Sequence, residues 1–304
     1  MLTRHMARPV LVVGEALVDI IDSSEGTITR PGGSPANVAI GLSRLGVQAE
    51  LLTALADDSH GSLVTAWLDE SGVRIDPGSQ KLDRTSVARA ALDASGAAQY
   101  EFELTWSLPP GDDSGVNNRP LLHIGSLAIY LEPGANEVAR IADRGARAGV
   151  PIAVDANARP NLVGEPTRAR RKFEGIASRA TVVKLSDEDA EFLYPESSDE
   201  TVTQRLLDLS PGVRIVALTL GAHGALLRCD GHVIHVEAPK VRVVDTIGAG
   251  DSFMSGMISR LLTFDRESWT DAATLQAVGD FAVRCAAITV EREGANPPRS
   301  QEVR

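Results

Sequence analysis

The stretch Asp245-Thr246-Ile247-Gly248-Ala249-Gly250-Asp251-Ser252-Phe253 sets small residues beside a carboxylate, where a β-like run (Val241 to Val244) gives way to an amphipathic helix. Gly248, Ala249 and Gly250 leave the amides of the helix start uncovered, so these can converge on an anion with the help of the helix dipole. Phosphate suits such a nest. Asp251 would repel the anion that these amides attract. The conflict resolves if Asp251 faces a substrate hydroxyl and takes its proton while the amides hold a transferring phosphoryl group. As an isolated pattern it also fits an aspartate that only caps its helix.

A second cluster, Gly32-Gly33-Ser34-Pro35-Ala36-Asn37, opens the first helix. Paired glycines let a polar ligand approach the backbone, and the Asn37 amide offers a donor and an acceptor to hydroxyl groups. Gly-Gly before a helix is also an ordinary turn. Asp19, after the first strand region, either holds two hydroxyls or faces water at a strand edge.

These residues need a frame. Strand-length apolar runs at Val10–Val13, Ala49–Ala54, Leu121–Ile124, Ile152–Asp155, Thr181–Lys184 and Arg214–Thr219 alternate with helix-period segments. That alternation predicts an α/β domain around a largely parallel, buried sheet. Ser34 reads as a helix cap with Pro35 at the first helical position; Gly46, Gly72 and Gly149 read as helix stops. Thr85–Leu92 and Ala98–Leu104 flank the turn-forming Asp93-Ala94-Ser95-Gly96 and predict a hairpin that joins Leu17–Thr29 in a small separate sheet. A second hairpin is expected over Ala225–Val236, and helices over Ser252–Leu262 and Asp271–Val290. Nothing reads as a linker between two domains, so residues 1–304 are expected to form one.

Composition narrows the partners. The 304 residues carry 41 acidic against 30 basic side chains, a net charge of −11, with no Lys/Arg run interleaved with aromatics. That speaks against a nucleic-acid surface and against an acidic membrane. Two distant cysteines, Cys229 and Cys285, make a disulfide scaffold or structural zinc a poor expectation and suit a reducing cytoplasm. No uninterrupted apolar stretch reaches bilayer-spanning length, and Met1 to Pro9 does not read as a signal peptide. No Gly-x-Gly-x-x-Gly follows the first strand and no Walker-type Gly-Lys-Ser/Thr occurs, which disfavours a dinucleotide oxidoreductase or a P-loop enzyme.

Taken in order, Gly14-Glu15 to Asp19, Gly32-Gly33 to Asn37, Asp155 to Arg159, Thr219-Leu220-Gly221 and Asp245 to Asp251 resemble the ribokinase-like (PfkB) carbohydrate kinases over nearly the whole chain. The resemblance implies a three-layer α/β/α sandwich with a mostly parallel central sheet and a β-sheet lid, here about 17–30 and 85–106. It implies ATP-dependent transfer to a sugar hydroxyl, with Asp251 as base and Gly248, Ala249 and Gly250 as anion hole. Asp19, Gly32, Gly33 and Asn37 would hold the sugar, and Lys184, Ser186, Thr219, Gly221 and Gly224 would lie along the nucleotide. Where the family has a magnesium-linked Asn-x-x-Glu, this chain has Ser186-Asp187-Glu188-Asp189, which puts Asp189 in the acidic place. One hydroxyl and one carboxylate still suit a hard, hydrated Mg²⁺. Backbone oxygens near Asp245 and Ile247, with the loop around Gly294, match a monovalent-cation region used by many members, which raises potassium.

The motifs around Glu15, Asp155–Pro160 and Lys184–Glu188 look most like bacterial fructokinases, so fructose is the expected acceptor. Arg159 could reach a sugar oxygen or a phosphate, or form a structural salt bridge. It also leaves open a 2-keto-3-deoxygluconate kinase, whose substrate carboxylate needs a cation. Tyr100 and Phe102, with Trp106, either cover the sugar or pack the small sheet or a dimer contact. A nucleoside kinase fits poorly with 4% aromatic residues. A non-catalytic sugar or nucleotide sensor on the same fold would have no need of both Asp251 and the Gly-Ala-Gly start. A homodimer through the lid is the oligomer this reading points to, because an exposed apolar sheet face calls for cover.

Overall fold

Side chains along each central strand alternate between two apolar cores, as a two-residue period requires. The computed structural model describes residues 8–23, 26–92, 98–111 and 115–303. In chain order its elements are β1 (Val10–Val13), β2 (Leu17–Ser23), β3 (Gly26–Gly32), α1 (Ser34–Arg44), β4 (Ala49–Leu52), β5 (Ala54–Ala56), α2 (Ser59–Glu70), β6 (Arg74–Ile75), β7 (Gln80–Leu82), β8 (Val87–Leu92) and β9 (Ala98–Glu103). They continue with β10 (Leu122–Gly125), α3 (Leu127–Tyr130), α4 (Gly134–Arg147), β11 (Ile152–Asp155), α5 (Pro160–Val163), α6 (Pro166–Ala177), β12 (Val182–Ser186), α7 (Asp187–Leu193) and α8 (Asp199–Leu207). The last are β13 (Ile215–Thr219), β14 (Ala225–Cys229), β15 (His232–Val236), α9 (Ala249–Leu261) and α10 (Ala272–Val290).

The main sheet has nine strands in the order β15-β14-β13-β12-β11-β10-β1-β4-β6. All its pairings are parallel except the two made by β14. Leu11, Val13, Ile124, Val154 and Leu218 face a core shared with α3, α4, α6, α7 and α8. Val10, Val12, Ala153, Val182 and Ala217 face the other, shared with α1, α9 and α10. The result is three layers, α/β/α. A second sheet of four strands, β3-β2-β8-β9, packs the inward Val18 and Ile20 against Val64 and Leu68 of α2.

Some sequence expectations shift. The run Ala49–Ala54 breaks at Thr53: β4 stays in the main sheet, while β5 leaves it to pair with β7 in a two-stranded parallel sheet. Val241 to Val244 forms no strand; Val243 and Val244 stand exposed. Ser34 is not the cap of α1. That place belongs to Gly33, and Ser34 is the first helical residue. The last helices begin at Ala249 and Ala272, so Asp251 sits in the first turn of α9 rather than ahead of it. The turn Asp93–Gly96 lies outside the described residues.

The 19-residue α10 is long and apolar enough to cross a bilayer by length and composition, with a best-window mean hydropathy of 1.2. Asp280 and Arg284 interrupt it in sequence, which is why it does not read as one apolar run. Half of that window is buried within the fold, and Leu275, Val278 and Ala282 join the core shared with α9.

Candidate active site

The chain leaves β1 for β4 on one side and later returns to β10 on the other. In an open α/β sheet such a reversal opens a crevice at the carboxyl ends of the strands. The residues picked from the sequence gather at these ends. Two of the connections there carry positive φ at non-glycine residues, Ser126 (59°) after β10 and Asn157 (33°) after β11. Backbone strain of that kind concentrates at functional sites.

Asp251 is buried, and each of its carboxylate oxygens has a donor on α1. The Ser34 hydroxyl donates to Oδ1 (2.6 Å) and the Asn37 amide donates to Oδ2 (2.7 Å). Ser34 and Asn37 are three residues apart on one helix, which puts both on one face. The carboxylate is therefore not a helix cap: Gly248 holds the cap position at φ 77°. Asn37 Oδ1 is buried with no partner among the described residues, an acceptor still open to a hydroxyl group.

Close packing explains the glycines before Asp251. A Cβ at Gly248 would stand 2.6 Å from Ala295 Cβ, and one at Gly250 would stand 3.1 Å from Lys184 Nζ. The Ala249 N–H donates to the Thr246 carbonyl (3.2 Å), whereas no backbone bond engages the Gly248 and Gly250 amides among the described residues. Two of the three expected anion-hole amides are thus free. Asp245 braces this loop: Oδ1 accepts from the Ile247 N–H (3.0 Å) and Oδ2 from the Gly294 N–H (2.8 Å). The expected monovalent-cation segments are thereby held together. Arg30 of β3 reaches the same loop through Glu293 at 2.7 Å.

On the four-stranded sheet, Asp19 lies against Gly32, where a Cβ would come within 2.2 Å of its Oδ2. A Cβ on Gly33 would meet the Glu15 carbonyl at 2.6 Å. Burial raises the Asp19 carboxyl above the ordinary range, opposed by the nearby Arg159 guanidinium. Arg159 is exposed at the start of α5 and makes no ion pair among the described residues. Glu15, whose sequence context alone marks no role in the site, is buried at the sheet reversal and accepts from the Ala128 N–H (3.2 Å). Burial pushes its carboxyl up to about 7, against the pull of the Ser126 hydroxyl and the Ala128 amide. Phe102 is 37% exposed and shares the cross-strand row of Asp19 through Ala88, so it faces the same side. The Tyr100 side chain lies outside those described. Trp106 is buried in the main core instead, beside Gly134.

Beneath the helix start, Lys184 is buried and donates to Asp155 Oδ2 (2.9 Å) and Oδ1 (3.1 Å). Burial alone would lower the lysine, but the carboxylates of Asp155, Asp189 and Asp251 outweigh it and hold the ammonium protonated. Ser186 and Asp189 form a capping box on α7: the Ser186 hydroxyl accepts from the Asp189 N–H, and Asp189 Oδ2 accepts from the Ser186 N–H. Asp189 Oδ1 accepts from the Ala158 N–H (2.7 Å). The Ser-x-x-Asp spacing thus serves the helix first, and each carboxylate oxygen keeps spare lone-pair capacity for a hydrated divalent ion. No group of three or more metal-ligating side chains forms among the described residues. Thr219 is half-buried at the end of β13, and Gly221 opens an exposed turn at φ 53°. Gly224 has a packing reason: a Cβ there would collide with the Val236 carbonyl at 1.9 Å.

The pfkB family carbohydrate kinase pattern matches residues 7–302. Fructokinase-1 of Zea mays is 32% identical over 314 residues, covering 97% of this chain and 96% of that protein. The crystal structure of a Xylella fastidiosa fructokinase with bound ATP has a TM-score of 0.87 at 24% identity, covering 98% of this chain and 97% of the other, and shares the fold. A double mutant of the Vibrio cholerae O395 fructokinase, with fructose, ADP and a potassium ion bound, has a TM-score of 0.77 at 25% identity, covering 95% and 94%.

Proposed function

Since the chain belongs to the pfkB family of carbohydrate kinases, we propose that it transfers the γ-phosphoryl group of ATP to a hydroxyl of fructose, with Asp251 as the base. The observation that carries this reading is the Asp251 carboxylate, held by Ser34 and Asn37 beside the amides of the α9 start. The sugar O–H loses its proton to Asp251, the oxygen forms a bond to the γ-phosphorus, and the bond from that phosphorus to the ADP oxygen breaks. Such a loose transition state asks mainly for positioning and charge stabilisation. The Gly248 and Gly250 amides would supply the latter, while Asp19, Asn37 and the glycine pair Gly32-Gly33 would orient the sugar.

A divalent ion would come with the nucleotide phosphates and neutralise them, with Asp189 as the carboxylate on the chain's side. The loop braced by Asp245 suits a monovalent cation on backbone oxygens, and the potassium bound in the Vibrio fructokinase structure supports potassium as that ion. Thr219 and Gly221 would border the nucleotide. The four-stranded sheet would act as a lid over the sugar within one kinase domain, excluding water from the phosphoryl group. Ile28 (45% exposed) and Phe102, on the Asp19 side of that sheet, would offer apolar surface to a twin subunit. Two unpaired, buried cysteines are consistent with a cytoplasmic setting.

A second acceptor is favoured by Arg159, an exposed guanidinium near Asp19 and without an ion-pair partner among the described residues: a sugar acid such as 2-keto-3-deoxygluconate. Turnover with ATP on fructose, 2-keto-3-deoxygluconate, ribose and adenosine tests the choice. Fructose at the head of that ranking is expected, and fructose at its foot would overturn the assignment.

A further inference from the structure

Lys184 is a cation beneath the phosphoryl site with one hydrogen-bond acceptor among the described residues, Asp155. Both belong to adjacent strands, paired Asp155 to Lys184, and both lie two residues beyond Ala153 and Val182, on the α9 face of the sheet. The side chains are almost wholly buried, at 4% and 0% exposure. A lysine that served only to neutralise Asp155 could sit anywhere in that core. This one brings its Nζ to 3.1 Å from the Cβ position of Gly250, in the turn where the Gly248 and Gly250 amides have no backbone acceptor among the described residues. The absence of a side chain at Gly250 leaves room for it.

We propose that Lys184, clamped by Asp155, is a positioning residue for phosphoryl transfer: its fixed ammonium charge supports the anion hole from below and offsets the carboxylate of Asp251. The proposal rests on the kinase reading above and names a residue that need not touch either substrate. The groups facing the ammonium are Asp155 on β11, Asp189 on α7 and Asp251 on α9, with His123 on β10 buried beneath. Burial drives the His123 imidazole down to about 3, so it stays neutral and adds no second cation. Three carboxyl groups therefore share one ammonium, with burial raising that of Asp155 to about 7 against the pull of Lys184. A charge preorganised in a dry site acts on developing charge more strongly than it would in water.

Removing only the lysine would leave Asp155 buried without its counter-ion, a structural defect in itself. The decisive variant is the neutral pair Asp155→Asn/Lys184→Met. It is compared with the intact protein for melting temperature, for ADP affinity by calorimetry, and for kcat and KM with fructose and ATP. The proposal predicts a cooperative melt, ADP affinity and both KM values within about threefold of the intact protein, and kcat at least about 100-fold lower, the scale of losing one anion-hole donor. A kcat within threefold of the intact protein would show that Lys184 only balances Asp155 and would overturn the proposal. If the neutral pair gives no cooperative melt, Lys184→Arg decides: folded and above about a tenth of normal kcat, it sustains the charge role, and folded but below about a hundredth, it overturns it. An intact protein without turnover on any sugar would instead overturn the kinase reading.

Discussion

Ser34 and Asp251 stand 217 positions apart in the chain and meet through a 2.6 Å hydrogen bond in which the serine hydroxyl donates to the carboxylate. This bond ties the first helix to the helix that carries the proposed base and restrains the carboxylate's rotation. Hydrogen bonds to charged groups contribute about 1.5 to 3 kcal/mol. Ser34→Ala is therefore expected to lower kcat by about 10- to 100-fold while ADP affinity, measured by calorimetry, stays unchanged.

The turn ahead of that serine tolerates no side chain. Gly33 holds φ at 110°, and a Cβ there would press on the Glu15 carbonyl at 2.6 Å. Gly33→Ala should destabilise the fold by about 1 to 3 kcal/mol, the usual cost of one strained backbone position. Urea unfolding of the two proteins side by side measures it.

Glu15 makes stability depend on pH. Its folded-state carboxyl titrates at about 7 against an ordinary 4.5, so between those values the folded protein holds a proton that the unfolded chain has released. This contribution is fully present below pH 4.5 and is lost as pH rises through about 7, on the order of 3 kcal/mol in all. Glu15→Gln removes the titration. Unfolding free energies at pH 5 and pH 8 should differ less in the variant than in the parent protein.

Much of this architecture is legible in the sequence because its signals are local. Four-residue buried runs such as Val10–Val13 and Ile152–Asp155 are recovered to the residue, since a parallel sheet covered on both faces demands continuous apolar strands. Asp251 and its glycines stand out because few folds need a carboxylate at an anion-binding helix start. Ser34 carries a local helix-capping signal, but its partner lies across the molecule, and no local rule names a contact of that range. The i, i+3 spacing of Ser34 and Asn37 was the available hint. The burial of Glu15 and the pairing of Asp155 with Lys184, a residue expected along the nucleotide, have no local signal for the same reason: they arise only when β1, β10, β11 and β12 come together.

Asp19 and Gly32 act as a unit on the small sheet. Gly32→Ala would set a methyl against Asp19 Oδ2 and turn the carboxylate away. The expected outcome is a rise of about tenfold or more in the sugar KM, the scale of one lost charge-assisted bond, with the ATP KM nearly constant.

Asp251 is the proposed base of this sugar kinase. The most direct test of that role is ADP formation from ATP and fructose by the parent protein and by Asp251→Ala under the same conditions, with ADP binding measured in both. Fructose-dependent turnover that falls by about 10² to 10⁴ in the variant, with nucleotide affinity retained, is the predicted result. Near-equal turnover in the two proteins would rule out Asp251 as the base.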